Sequence, residues 1–130
     1  MTLPEAVAAA ARAGLAKKAE DVVVLDLRSA ADFTDHFLLL SGQNQRQLVA
    51  IADSVVEALR GIGRRPDHVE GYPRQEWILL DYSSFVVHVM TARTRAFYDL
   101  ERLWARAPRA ELPEPLESQA RSLKTGTENR

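Results

Sequence analysis

The 130-residue sequence contains no cysteine. It therefore has no residues for a disulfide scaffold, a thiolate zinc site or a cysteine nucleophile. Because a protein without disulfides needs no oxidising compartment, we expect it to be cytoplasmic. No apolar run approaches the roughly 20 residues of a membrane span, and the first residues lack the pattern of a signal peptide. We therefore expect no membrane partner and no export.

A surplus of either charge is also missing. The chain has 17 basic and 18 acidic residues and a formal net charge of -1. Proteins that bind nucleic acid unaided usually carry excess basic charge, because neutralising phosphates supplies most of their affinity. We therefore expect little direct nucleic acid contact, although the net charge does not exclude a local basic patch.

What is present is an ordinary globular composition, with 46% hydrophobic and 27% charged residues. This composition and length predict a single domain. After Arg106 the chain becomes rich in proline and polar residues and nearly loses its aromatic residues. We therefore predict one domain over residues 1–106 and a disordered C-terminal tail over residues 107–130.

Hydrophobic periodicity predicts an α/β (α+β) fold with a mixed five-stranded sheet and flanking helices. Apolar or alternating runs predict the strands, and a 3, 4, 7, 8 spacing of apolar residues predicts the long central helix, with Asn44 as its cap. The predicted strands cover about residues 21–27, 36–41, 67–70, 76–81 and 85–90, and the predicted helices about residues 2–18, 45–62 and 92–104.

Motifs for catalysis, metals and cofactors are missing. The three histidines are far apart in sequence and form no metal-binding spacing, and no nucleophile elbow or phosphate-binding loop occurs. Ser41-Gly42 before the long helix offers N–H groups to an anion, but a plain strand-to-helix turn is the simpler interpretation. Asp26 and Asp81 each stand alone, whereas a two-metal site needs paired carboxylates. We predict no cofactor, no metal site and no enzymatic activity.

Aromatic residues near arginines indicate surface recognition instead. Trp77 begins an alternating strand, and Tyr98 and Trp104 share the last predicted helix with Arg95 and Arg102. Trp, Tyr and Arg often carry the binding energy of protein interfaces. Burial of both tryptophans in the core is an equally good interpretation of the sequence alone, and for Arg95 a solvated helix face is favoured over a contact.

Short motifs stand in a fixed order along the chain. They are residues 21–26 (Asp-Val-Val-Val-Leu-Asp), Thr34-Asp35, Ser41-Gly42, Arg46-Gln47, Glu70-Gly71, Trp77, residues 80–82, residues 87–89 and residues 95–104. Each motif is weak alone, but the ordered set covers most of residues 1–104 and resembles the ribosomal silencing factor (RsfS, or Iojap-like) family. Asn44, where the family more often has Ser or Thr, is one departure, and the tail after Pro108 is another.

The resemblance implies a nucleotidyltransferase-like fold without catalytic residues. It also implies binding to the large ribosomal subunit through ribosomal protein L-fourteen, which blocks joining of the small subunit and represses translation, for example when nutrients are short. A homodimer away from the ribosome is compatible with an apolar recognition face. The protein-binding residues that the resemblance implies are Trp77, Tyr98 and, less directly, Glu70, Asp81, His88 and Arg95.

Two other functions remain open from the sequence: a nucleotidyltransferase-like enzyme and an RNA-binding module. The first requires nucleotide and Mg²⁺ binding, and the second requires affinity that falls steeply with salt. Acidic residues beside an aromatic one, such as Glu70, Glu76 and Asp81 near Trp77, instead favour a basic protein partner.

Overall fold

One mixed sheet organises the chain in the computed structural model, which describes residues 3–112. Its strand order is β3-β4-β5-β2-β1-β6; β2 and β5 are parallel and the other neighbours antiparallel. The elements are α1 (Glu5–Ala16), β1 (Glu20–Asp26), β2 (His36–Gly42), α2 (Gln45–Arg60), β3 (His68–Glu70), β4 (Trp77–Asp81), β5 (Phe85–Thr91), α3 (Ala92–Tyr98), α4 (Leu100–Leu103) and β6 (Arg109–Ala110).

Helices α1 and α2 cover one face of the sheet. Asn44 caps α2 as predicted, accepting a hydrogen bond from the Gln47 N–H at 2.8 Å. The apolar stripe of α2 is buried against the sheet and α1, and the alanine-rich α1 is buried on most sides. None of the helices within residues 3–112 is long and apolar enough to cross a membrane. The main core therefore lies between this helical layer and the sheet.

The prediction of a mixed α/β domain is confirmed, but the strand count of five is wrong. The sixth strand is β6, which pairs with β1 after the predicted boundary at residue 106. Ala107 and Leu112 are buried beside it, because their apolar side chains pack into the two cores. The described structure continues past residue 106 to residue 112, and the rest of the predicted tail lies outside the described residues.

The single last helix predicted over residues 92–104 is also wrong, because Asp99 interrupts it. Asp99 adopts a left-handed conformation with φ 48° and ψ 57°, which a short polar side chain tolerates better than most. Thr91 caps the first part, α3, as predicted, by accepting a hydrogen bond from the Thr94 N–H. The break turns α4 so that Leu100 and Trp104 pack onto the sheet.

Gly71 fixes the turn that leads into β4. Its φ is +97°, and a Cβ there would lie 1.8 Å from the carbonyl oxygen of Trp77. We expect Gly71→Ala to lower the free energy of unfolding by about 2 kcal/mol or more, because the turn must open. Gly63→Ala is the matched control: its φ is +80° but no atom lies within 4 Å, so it should cost about 1 kcal/mol. Equal losses in urea unfolding would contradict the steric explanation.

Candidate protein-binding face

Within residues 3–112, the sheet face opposite α1 and α2 is not covered by a long helix. We call it the aromatic face. Its strand residues lie on one side because side chains alternate along each strand. In this part of the chain the short α3 and α4, the loop before β2 and Ala107 lie against it. The residues of the aromatic face in β2, β4 and β5 are Phe37, Leu39, Trp77, Leu79, Asp81, Val86, His88 and Met90.

Aromatic rings form a continuous line across this face. At one end Trp104 contacts Phe37, with ring centroids 6.0 Å apart. Phe37 lies edge-on to His88 at 4.4 Å, and His88 lies 5.7 Å from Trp77. Trp77 in turn packs on Tyr98 at 4.9 Å. Because these rings come from β2, β4, β5 and the segment after β5, the sheet and α3 together build one surface.

Large apolar side chains beside this line are exposed. Phe97 is 79% exposed, Leu103 72%, Phe33 61% and Tyr98 55%. Phe33 contacts Phe37 and Trp104, and Phe97 contacts Tyr98, so the exposed rings extend both ends of the line. Exposed apolar surface that is contiguous rather than scattered is typical of a protein interaction site.

His88 holds the indole of Trp77 in place. The Trp77 Nε1–H donates a hydrogen bond to His88 Nδ1 at 3.0 Å. His88 itself is only 4% exposed, and burial lowers its pKa from the ordinary value to about 4. Accepting at Nδ1 requires the neutral ring with its proton on Nε2. At neutral pH the imidazole therefore stays uncharged and fixes the orientation of Trp77.

The free energy of unfolding is expected to fall by about 3 kcal/mol between pH 7 and pH 4 because of His88. In the unfolded chain this imidazole titrates near its ordinary value of about 6.5. In the folded chain its pKa is about 4. Between these values the unfolded state binds the extra proton, so stability decreases as the pH falls, and His88 adds no further loss below about pH 4. Urea unfolding at a series of pH values measures this.

His88→Gln is the control for this pH dependence. The glutamine amide does not titrate, so the decline between pH 7 and pH 4 should be clearly smaller. The decline that remains comes in part from His36, whose pKa is also lowered by burial. An unchanged decline in the variant would show that His88 is not the responsible group.

Arg95 lies inside the domain rather than on its surface. Its Nη1 donates to the Asp21 carbonyl at 2.6 Å and to Ser41 Oγ at 2.9 Å. Its Nε donates to Glu101 Oε1 at 2.9 Å, and this bond lowers the pKa of the Glu101 carboxyl below its ordinary value. Glu101 also pairs with Arg109 at 3.2 Å. Arg95 thus joins α3 to β1, β2 and α4, and through Glu101 to β6.

Acidic groups lie along the β3 edge of the aromatic face. The register pairs Glu70 with Leu79 and His68 with Asp81, which places these side chains on the same side of the sheet. Glu70 is exposed and pairs with His68 at 2.9 Å. Asp81 is half-buried and accepts a hydrogen bond from the Ser83 N–H at 2.8 Å. The edge next to Leu79 therefore combines acidic and apolar surface.

The structure brings together most of the residues that the sequence indicated. Trp77, Tyr98, Glu70 and Asp81 reach the surface of the aromatic face or its edge, as the preceding geometry shows. Two others do not: His88 and Arg95 are buried, so the solvated face expected for Arg95 is wrong because its guanidinium has partners inside the chain. Sequence reasoning missed three exposed apolar residues, Phe33, Phe97 and Leu103.

One signal for Phe97 was present in the sequence, because it directly precedes Tyr98. Its exposure became visible only with the break at Asp99, which ends α3 directly after this pair. Phe33 lies in a loop, where no periodicity reports burial, and its ring contacts come from residues distant in sequence such as Trp104.

One carboxylate considered for metal-dependent catalysis, Asp26, is engaged by a neighbouring arginine. Asp26 forms an ion pair with Arg28 at 2.6 Å, and that hydrogen bond holds the pKa of Asp26 at about 2. Within residues 3–112 no group of three potential ligands is close enough to hold a metal ion.

The fold and the aromatic face define a small α/β domain whose most distinctive surface is suited to binding another protein.

Comparison with known proteins agrees with this class. The family model "Ribosomal silencing factor during starvation" (RsfS) matches residues 1–130. The ribosomal silencing factor RsfS of Halalkalibacterium halodurans is 38% identical over 96 residues, which cover 74% of this chain and 82% of that protein. The chain belongs to the RsfS family, and the resemblance seen in the sequence is confirmed.

Two further relatives extend this result. A crystal structure of a protein from Chromobacterium violaceum has a TM-score of 0.77 and 32% identity, covering 81% of this chain and 88% of that one. The mouse protein named "Mitochondrial assembly of ribosomal large subunit protein 1" is 32% identical over 91 residues, covering 68% of this chain and 40% of that protein. RsfS-family proteins are ribosomal silencing factors, which are regulators of translation and not enzymes.

Proposed function

We propose that this chain binds the large ribosomal subunit through ribosomal protein L-fourteen and prevents the small subunit from joining. Translation is thereby repressed, for example when nutrients are short, and the protein acts in the cytoplasm. The observation that carries the proposal is the aromatic face, where exposed rings and half-buried Trp77 lie together on the side of the sheet away from α1 and α2. The names of the relatives, which refer to ribosomal silencing and to the large subunit, support this partner.

The proposed contact residues have different roles. Trp77 and Tyr98 supply apolar area at the centre of the contact, since their ring centroids lie 4.9 Å apart and Tyr98 is 55% exposed. Glu70 and Asp81 supply negative charge at its edge, which suits a basic ribosomal protein. His88 and Arg95 act from below, because their buried hydrogen bonds hold Trp77 and α3 in position.

Steric exclusion is sufficient for this activity. An interface of standard size buries about 800 Å² on each partner, which one face of a domain this size can provide. No chemical step is required, only occupancy of a surface that the small subunit needs. A second copy of the chain is a competing occupant of the same face, so a homodimer formed off the ribosome would dissociate on binding.

The test is sedimentation of purified ribosomal subunits with the purified chain, followed by binding to isolated ribosomal protein L-fourteen. We expect the chain to travel with the large subunit and not with the small one, and to bind the isolated protein. An excess of that protein should displace the chain from large subunits. The proposal would be contradicted if the chain were absent from the large-subunit fraction. It would also be contradicted if an excess of isolated ribosomal protein L-fourteen did not displace the chain from large subunits.

An RNA-binding function is separated by measuring binding to protein-free ribosomal RNA at several salt concentrations. Contacts to phosphates make affinity fall steeply with added salt, whereas an apolar interface responds weakly. We expect the chain to show no appreciable binding to protein-free ribosomal RNA. Tight, strongly salt-dependent binding to that RNA would favour an RNA-binding module over docking on a protein.

A further inference from the structure

Three arginines line a groove that the aromatic face does not include. The groove has a volume of about 550 Å³ and is lined by Val56, Arg60, Arg64, Arg65 and Pro66. We call it the arginine groove. It lies where α2 ends and the chain turns toward β3, and it forms a local basic patch on a chain whose net charge is -1.

Local structure explains why the three cations lie together. Gly63, with φ +80°, ends the helix so that the Arg64 N–H donates back to the Leu59 carbonyl at 2.8 Å. This closure places Arg64 and Arg65 near Arg60 in the last turn. The C-terminal end of a helix favours cations, which lowers the cost of grouping them.

Arg64 is held in a defined position at the back of the groove. Its guanidinium carbon lies 5.5 Å from the centre of the Phe85 ring, and its Nη2 donates to Ser84 Oγ at 3.3 Å. Burial raises the pKa of Tyr82 to about 12, although the positive charges of Arg64 and Arg60 act to lower it. Both guanidinium groups therefore lie near the same buried phenol.

The charges of these arginines are not neutralised by ion pairs in the described chain. Within residues 3–112, none of the ion pairs involves Arg60, Arg64 or Arg65. Arg60 and Arg65 are exposed, and Arg64 is half-buried. Guanidinium groups bind phosphate oxygens with paired hydrogen bonds, which ammonium groups do not match in geometry. The groove thus has the charge and the donor type that a phosphate backbone requires.

The groove is adjacent to one end of the aromatic face. Ser84, which Arg64 contacts, belongs to the short turn between β4 and β5, and Asp81 at the end of β4 belongs to the aromatic face. The Asp67 N–H, two residues after Arg65, donates to the Asp81 carbonyl at 2.7 Å. When a partner docks on the aromatic face, the molecules that adjoin this partner therefore come close to the arginine groove.

We propose that the arginine groove contacts the phosphate backbone of ribosomal RNA at the border of the protein docking site. This inference rests on the proposed function, because it assumes a large subunit already bound through the aromatic face. Ribosomal proteins are surrounded by RNA, and contacts to phosphates position a bound protein without reading sequence. The contact adds orientation and salt-dependent affinity to an interface that otherwise depends on a protein partner.

The test compares the full chain with the double variant Arg60→Gln and Arg65→Gln for binding to purified large subunits over a series of salt concentrations. Arg64 is kept because it packs on Phe85. We expect the variant to bind about tenfold more weakly at low salt. The slope of the logarithm of the binding constant against the logarithm of the salt concentration should be shallower by about 1.5 in the variant, because each lost phosphate contact removes about 0.7 to 0.9 from it. Affinity for isolated ribosomal protein L-fourteen should be unchanged.

The double variant Lys17→Gln and Lys18→Gln is the matched control, since it removes the same charge elsewhere. Gln47 Nε2 donates to the carbonyls of both lysines at 3.1 Å, which places them at the start of α2. That is about 20 Å along the helix from Arg60. The control should bind large subunits within about twofold of the unmodified chain.

Three results would overturn the inference. An equal loss in the lysine control would show a general charge effect, and an equal loss on the isolated ribosomal protein would assign the arginines to protein contact. Unchanged binding and salt dependence in the arginine variant would show that the groove is not used. Failure of the unmodified chain to bind either target would instead contradict the proposed function, so the two failures are distinguishable.

Discussion

Replacing Trp77 with alanine is expected to weaken binding to the large ribosomal subunit by about 30-fold or more, roughly 2 kcal/mol. Trp77 lies in the middle of the ring line, between His88 and Tyr98, and it is half-buried in the free chain. Removing the indole deletes apolar contact area and also removes the ring against which Tyr98 packs. Equilibrium binding of a labelled chain to purified large subunits measures the effect.

Trp77→Phe and Tyr98→Ala are the companion variants. The phenylalanine keeps most of the ring contact but loses the Nε1–H bond to His88, so an intermediate loss is expected. Tyr98→Ala removes a 55% exposed ring and should reduce affinity without reducing stability appreciably. Since the two rings touch, the double alanine variant should lose less than the sum of the single losses. Unchanged affinity of folded Trp77→Ala would remove Trp77 from the interface.

Replacing Arg95 with alanine is expected to lower the free energy of unfolding by about 3 kcal/mol. The change removes three hydrogen bonds and leaves the Asp21 carbonyl, Ser41 Oγ and the Glu101 carboxylate without this donor. Because Arg95 joins α3 to β1 and β2, the loss should also loosen the position of Tyr98. Urea unfolding measures the stability change directly.

Arg93→Ala is the matched control for this prediction. Arg93 is exposed on the same short helix, and its truncation should change stability by less than about 0.5 kcal/mol. Arg95→Lys should give an intermediate result, because an ammonium group cannot reproduce the planar arrangement of donors. A loss for Arg95→Ala no greater than that for Arg93→Ala would contradict the assignment of Arg95 as a buried connector.

The main elements of the fold were accessible from sequence because their signals are local. The five predicted strands and the long helix α2 depend on residue alternation and on the apolar stripe from Leu48 to Leu59. Strand β6 has only two residues, Arg109 and Ala110, so it carries no periodic pattern. Its existence depends on pairing with β1 and on the ion pair with Glu101, which are tertiary interactions.

The site shows the same division between local and tertiary information. Trp77 and Tyr98 were identified by residue type and family motif, but their ring contact depends on how α3 packs on the sheet. The burial of Arg95 was not visible, since two of its partners, Asp21 and Ser41, are 74 and 54 residues away in sequence. The position of the aromatic face becomes visible only when α1 and α2 are placed on the opposite side of the sheet.

The most direct test of the central claim is the rate and extent of subunit joining, followed by light scattering after purified subunits are mixed. With the chain bound beforehand to large subunits, we expect the joined fraction to fall in proportion to occupancy. Folded Trp77→Ala should restore joining at concentrations where the unmodified chain blocks it. Joining that proceeds to its full extent on large subunits saturated with the chain would contradict the account.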